Sequence, residues 1–179
     1  MGHSFGLTWP IGLGLTTRTL LAVRGWRMFQ PEDLVESGQA ERLADARKSS
    51  GRDPGELAHR LGISYEAYRD LESFDEEIVD TISFRQLVLL AAAVHLDLRS
   101  FFGARDQMDT CAFPDLAARL NQLVAQGDVT LAALEDEVGW ELREVLEEPD
   151  RFEELPAVAL ADIGGRVGID WRSFLPPGR

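Results

Sequence analysis

The chain has a single cysteine, Cys111, in 179 residues, so it can close no internal disulfide and supply no cysteine cluster for a metal. That usage fits a reducing cytoplasm, where we expect the protein to reside. Histidine is nearly as scarce: His3, His59 and His95 are scattered, and no His/Cys/carboxylate spacing suggests a metal site. No glycine-rich phosphate loop follows a strand pattern, and Cys111 has no base nearby in sequence. We therefore expect neither catalysis nor a cofactor. Positive charge is also in short supply, with 18 basic against 31 acidic residues and a net charge of −13. Nucleic-acid binding draws on basic side chains that release phosphate counterions, so the whole-chain charge argues against it. The apolar stretch within residues 1–27 is broken by Pro10, Gly12 and Gly14, and Arg18, Arg24 and Arg27 follow it. A secretory signal carries its positive charge first, and a membrane span is longer and unbroken, so neither is expected. Residues 1–30 read as an extension outside the folded chain. Residues 1–27 precede a true start at Met28, form a disordered tail, or pack on a partner.

What is present is an ordinary globular composition, 45% hydrophobic, on a length that fits one large or two small domains. The informative stretch is 53–72. Asp53 is a good N-cap, Pro54 suits the first helical position, and Glu56 sits where it completes a capping box. Leu57, Ala58 and Leu61 share one face of the predicted helix, and Gly62 allows the chain to leave it in a left-handed conformation. Ser64 is a second N-cap, followed by Ala67, Tyr68 and Leu71 at helical spacing. Helix, glycine turn, helix is the sequence form of a helix-turn-helix.

Around it the pattern stays helical. Residues 31–50 predict one helix or two with a weak point at Gly38, and 74–80 read as an acidic loop. Ser83 with Gln86 makes a capping box for an apolar helix running to Val94, and Asp97 caps a short helix closed by Gly103. Residues 104–112 read as a linker.

Leu57-Ala58-His59-Arg60-Leu61-Gly62-Ile63-Ser64, with Tyr68, Leu71 and Glu72, resembles the phage Cro/repressor-type helix-turn-helix family of bacterial regulators. The resemblance covers about Glu41 to Phe102 and implies a five-helix, lambda-repressor-like fold. It also implies an ion pair between Arg47 and Glu72. By the family's pattern, Tyr65, Glu66 and Arg69 face base edges, with Asp70 at the margin. Arg69 suits guanine, Glu66 the cytosine amino group, and Tyr65 a phosphate or a thymine methyl. Lys48, Arg52, Arg60 and the helix start at Pro54 are the phosphate candidates. The alternative is that these are solvated surface residues. Pro54 stands where the family commonly has a glutamine.

The second half repeats the first. At an offset of 77, Arg42-Leu43 falls on Arg119-Leu120, Leu57 on Leu134, Gly62 on Gly139 and Tyr68 on Val145. At an offset of 73, Leu96-Asp97-Leu98-Arg99-Ser100-Phe101-Phe102 falls on Ile169-Asp170-Trp171-Arg172-Ser173-Phe174-Leu175. We read two copies of one all-α unit: residues 31–103, then a degenerate copy over 113–176. Residues 41–72 carry six basic against seven acidic side chains, whereas 118–154 carry three against eleven and would repel a duplex. Val124 stands in place of Arg47, and Pro149 in place of Glu72. Leu142 and Leu146, four apart on the face equivalent to the reading face, are expected to be exposed and to contact a protein, either the first copy or a second chain. The alternative is a shifted helix phase that buries them.

Two functional expectations follow. One is a DNA-binding transcriptional regulator whose first copy reads duplex DNA and whose second serves dimerisation or a partner. The other is an acidic protein-interaction module that keeps the fold without binding DNA. An acidic collar from Asp75, Glu76 and Glu77 across the reading face would exclude the first.

Overall fold

A computed structural model describes residues 29–104, 108–127 and 129–178. The expectations for residues 1–28 lie outside the described residues. Within them the chain is all-α. The one β feature among the described residues is an isolated antiparallel bridge between Ser83 and Pro156. No described helix is long and apolar enough to cross a membrane.

Eleven stretches of α-helix follow in order among the described residues. They are α1 (Pro31–Leu34), α2 (Gln39–Ser50), α3 (Pro54–Leu61), α4 (Tyr65–Leu71), α5 (Glu77–Asp80), α6 (Phe84–Ala93) and α7 (Leu98–Phe101) in the first half. The second half holds α8 (Phe113–Ala125), α9 (Leu131–Val138), α10 (Arg143–Glu147) and α11 (Ala157–Arg166), with 3-10 turns over Pro149–Glu154 and Trp171–Phe174. Gly38, at φ 88°, separates α1 from α2. Because glycine offers α2 no side-chain cap, a distant carboxylate does the work: Asp75 accepts from the amides of Gly38 (2.9 Å) and Ala40 (2.7 Å).

Ser83 accepts from the amide of Gln86 while the Gln86 side chain accepts from that of Ser83, so α6 starts with both halves of a capping box. Asp97 caps α7 through the amides of Arg99 and Ser100. Two local expectations need correction. Glu56 pairs with Arg52 (3.1 Å), while Asp53 takes the amides of Gly55 and Glu56 on its own side chain. The acidic stretch 74–80 is not all loop, because burial of Ile78 and Val79 folds Glu77–Asp80 into α5.

The core runs without a break from Leu34 to Leu175 and joins both halves. Its centre includes Tyr68, Phe101, Phe152, Leu43, Leu57 and Leu120, all fully buried, each contributing roughly 1.5–3 kcal/mol by leaving water. Across the seam, Phe84 meets Phe113 edge-on at 5.7 Å and Phe102 meets Trp171 edge-on at 4.9 Å. In the segment between the halves, the Cys111 amide donates to the Ser173 carbonyl (3.0 Å).

Candidate nucleic-acid interface

The geometry of α3 and α4 is set by their ends. Asp53 starts α3, and Gly62, at φ 71°, ends it. The Gly62 amide bonds to the His59 carbonyl and that of Ile63 to the Ala58 carbonyl, both at 3.1 Å, which is the Schellman arrangement. Ser64 then accepts from the Ala67 amide at 3.0 Å and starts α4 one residue later. Leu57, Ala58 and Leu61 from α3 and Tyr68 and Leu71 from α4 are all buried, fixing the angle at which the two helices meet. What remains outside on α4 is Tyr65, 47% exposed, together with Glu66, Arg69 and Asp70. Tyr65 with Arg69, and Glu66 with Arg69 and Asp70, stand three or four residues apart and so share one helical face.

Two polar clamps hold α4 and α3 from the buried side. Arg47, near the end of α2, meets Glu72, the C-cap of α4, through Nε–Oε1 at 2.5 Å and Nη2–Oε2 at 3.0 Å. Arg47 Nη1 also donates to the Arg52 carbonyl at 3.2 Å, so the loop before α3 is tied to the same group. The hydrogen bond to Glu72 is the main reason the guanidinium is held even more firmly protonated than usual. The second clamp was not anticipated from sequence: Gln86 Nε2 of α6 donates to the Leu61 carbonyl at 2.7 Å, occupying an otherwise free acceptor at the end of α3. The capping-box pattern at Ser83 pointed to Gln86, but only to its local bond. Between the clamps, the Tyr68 hydroxyl is buried without a hydrogen-bond partner among the described residues. Burial, and then the neighbouring Glu72 charge, push its phenol up.

The basic side chains differ in their freedom. Lys48 pairs with Asp45 at 3.2 Å and Arg52 with Glu56 at 3.1 Å, all four well exposed. Exposed pairs of this kind contribute about 0–1 kcal/mol, so a phosphate can replace the carboxylate at little cost. Arg60 and Arg69 are exposed and have no ion pair among the described residues. Of the three acidic residues able to form a collar, Asp75 is spent on the start of α2, and Glu77 bonds to the Thr81 hydroxyl.

The equivalent face of the second half is different, and one expectation there is overturned. Leu142 is fully buried and Leu146 is half-buried against the core, so they do not form an exposed apolar pair. The register of α4 does not carry over, because Glu141 stands where Ser64 caps. The helix starts at Arg143, and Glu135 of α9 reaches across to accept from the amides of Leu142 (2.9 Å) and Arg143 (3.2 Å). Leu142 thereby becomes the N-cap and turns inward. The exposed residues of and around α10 are Glu141, Arg143, Glu144, Glu147 and Glu148, and Arg151 is tied up by Glu144 and Glu154.

No group of His, Cys, Asp and Glu among the described residues could hold a metal ion. No protein-family model matches the chain, and searches of curated proteins and of solved structures return no significant match.

Proposed function

We propose that the chain consists of two tandem lambda-repressor-like helix-turn-helix units, the second degenerate, and acts as a DNA-binding transcriptional regulator read out through the first. The observation that carries this reading is the pairing of free cations with a rigid helix face. Arg69 stands exposed and unpaired one turn from Tyr65 on α4, and Arg60 stands exposed and unpaired on α3, on a helix pair clamped from behind by Arg47–Glu72 and Gln86. A clamp on the buried side with an unspent outer face is what major-groove reading requires. In this reading Arg69 and Glu66 contact bases, and Lys48, Arg52 and Arg60 contact phosphates.

The test is selection from a random duplex pool at low and moderate salt, with Arg69→Ala beside the parent. Three phosphate-facing cations give a log–log salt slope of about −2.7, or roughly a fortyfold loss from 50 to 200 mM. Arg69→Ala should relax the selected sequence and cost about 1–3 kcal/mol. Enrichment insensitive to both salt and the substitution would refute the reading. The eleven acidic side chains of 118–154 support the acidic protein-interaction module as a second reading. Absence of retention even at low salt would favour it.

A further inference from the structure

The helices repeat at fixed offsets. Pro54–Leu61 of α3 and Leu131–Val138 of α9 are 77 apart, while Phe84–Ala93 and Leu98–Phe101 lie 73 before Ala157–Arg166 and Trp171–Phe174. Their backbone details repeat as well. His95, at φ 58°, corresponds to Gly168, at φ 71°. The Leu96–Ala91 backbone bond (2.8 Å) corresponds to that between Ile169 and Gly164 (2.9 Å).

The seam between the halves obeys the same offset. Ser83 and Pro156 are counterparts, and they face each other in the isolated antiparallel bridge, where the Phe84 amide donates to the Leu155 carbonyl at 2.8 Å. A residue paired antiparallel with its own counterpart lies on a local two-fold axis, since only that operation exchanges the two and reverses chain direction. The helix contacts agree. α5 packs on α11, and its counterpart Pro149–Glu154 packs on α6, the counterpart of α11. One isologous contact is thus seen from both sides. It buries Ile78, Val79, Ile82 and Phe84 from one half and Ala157 and Leu160 from the other, a patch too apolar to leave in water.

We propose that the chain is a dimer folded into one polypeptide, in which the second copy covers the face through which the first would otherwise recruit another chain. Only one of its two reading faces is equipped, because Glu137 and Leu146 stand where the first copy has Arg60 and Arg69. The DNA ligand is therefore a single asymmetric half-site bound by one chain, not a palindrome bound by two. This last step rests on the DNA-reading function proposed above; the two-fold seam does not.

Two experiments separate the claims. In a Cys111→Ser background, Ser83→Cys with Pro156→Cys places thiols on an antiparallel non-hydrogen-bonded pair with Cα atoms about 4.5 Å apart, within disulfide range. Oxidation should give an intrachain bridge at the monomer mass of 19.9 kDa, and the parent should sediment as that monomer. An interchain product, a parent dimer, or no bridge in a variant that melts like the parent would overturn the seam. The second experiment titrates the parent with duplexes bearing one selected half-site or two inverted ones a helical turn apart. One chain should bind each half-site, with affinities equal to within about twofold, as for independent sites. Cooperative binding of two chains, enhanced more than about tenfold, would overturn the half-site assignment. No binding to either duplex removes that assignment together with the DNA reading, and the cross-link still decides the seam.

Discussion

Breaking the Arg47–Glu72 clamp tests how α4 is held. The two side chains are 14% and 10% exposed and share two hydrogen bonds, so each neutralises a charge that has largely left water. Removing one partner strands the other. Glu72→Met leaves a guanidinium facing the buried Tyr68 hydroxyl and should cost about 3 kcal/mol, at the lower end of what is found for broken buried pairs. Arg47→Met should cost a similar amount. Replacing both with methionine removes the stranded charge and should cost about 1 kcal/mol or less, because the desolvation of both ions is also relieved. The coupling energy in a double-mutant cycle is then several kcal/mol, far beyond the few tenths expected of non-interacting sites. Urea unfolding of the four proteins measures it. The single variants should also melt about 10 °C lower than the parent, at roughly 2–4 °C per kcal/mol for a chain of this size. Additive losses, with the double variant about twice as destabilised as either single, would refute the argument. They would mean that the aliphatic stems, rather than the paired charges, hold α2 against α4.

Two further outcomes follow from backbone and burial. His95 holds φ 58°, the conformation its counterpart Gly168 adopts without steric cost. His95→Gly should therefore stabilise the protein by about 0.5–1 kcal/mol in urea unfolding, the relief of left-handed strain outweighing the added chain entropy, and a loss of stability would refute this. Asp162 is buried in α11 and accepts from the Phe29 amide at 2.6 Å; burial, opposed by that bond and by Arg166, holds its carboxyl above the usual 3.8. A carboxyl raised on folding binds more protons in the folded than in the unfolded chain. Its contribution is complete below pH 3.8 and is lost as pH rises through the folded value. Asp162→Asn, which keeps an acceptor for Phe29, should be more stable than the parent at pH 7 and match it near pH 3.5. Equal stability at both values would contradict the burial argument.

The parts of the fold legible in the sequence were those decided within one helical turn. Asp53, Ser64, Ser83 and Asp97 each cap an amide two or three residues on, and Gly62 and Gly139 leave their helices at positive φ. What the sequence did not disclose was decided across the chain. Asp75 caps a helix more than thirty residues upstream, and α5 exists because Ile78 and Val79 are buried as it packs against α11. The misplacement of Leu142 has the same origin. Copying the register of α4 onto 142–148 assumes a cap at position 141, but a glutamate stands there. The cap comes from Glu135 on the preceding helix instead, which turns Leu142 into the core.

That difference explains why the halves diverge in surface as well as in charge. In the first half, α4 is fastened by polar groups that approach from behind: Glu72 through Arg47, and the end of α3 through Gln86. Polar clamps fix direction without using the outer face, so Tyr65, Glu66 and Arg69 remain available. In the second half the counterparts of Arg47, Glu72 and Gln86 are Val124, Pro149 and Ala159, which can hold a helix only by apolar burial. α10 is accordingly short and is drawn inward by Leu142 and Val145, leaving carboxylates outside. On the reading proposed here, loss of the polar clamps and loss of the reading residues are one event. With α10 started by Glu135 and drawn inward by Leu142 and Val145, the side chains left outside are Arg143 and four glutamates, and on this reading the second copy serves through its packing against the first.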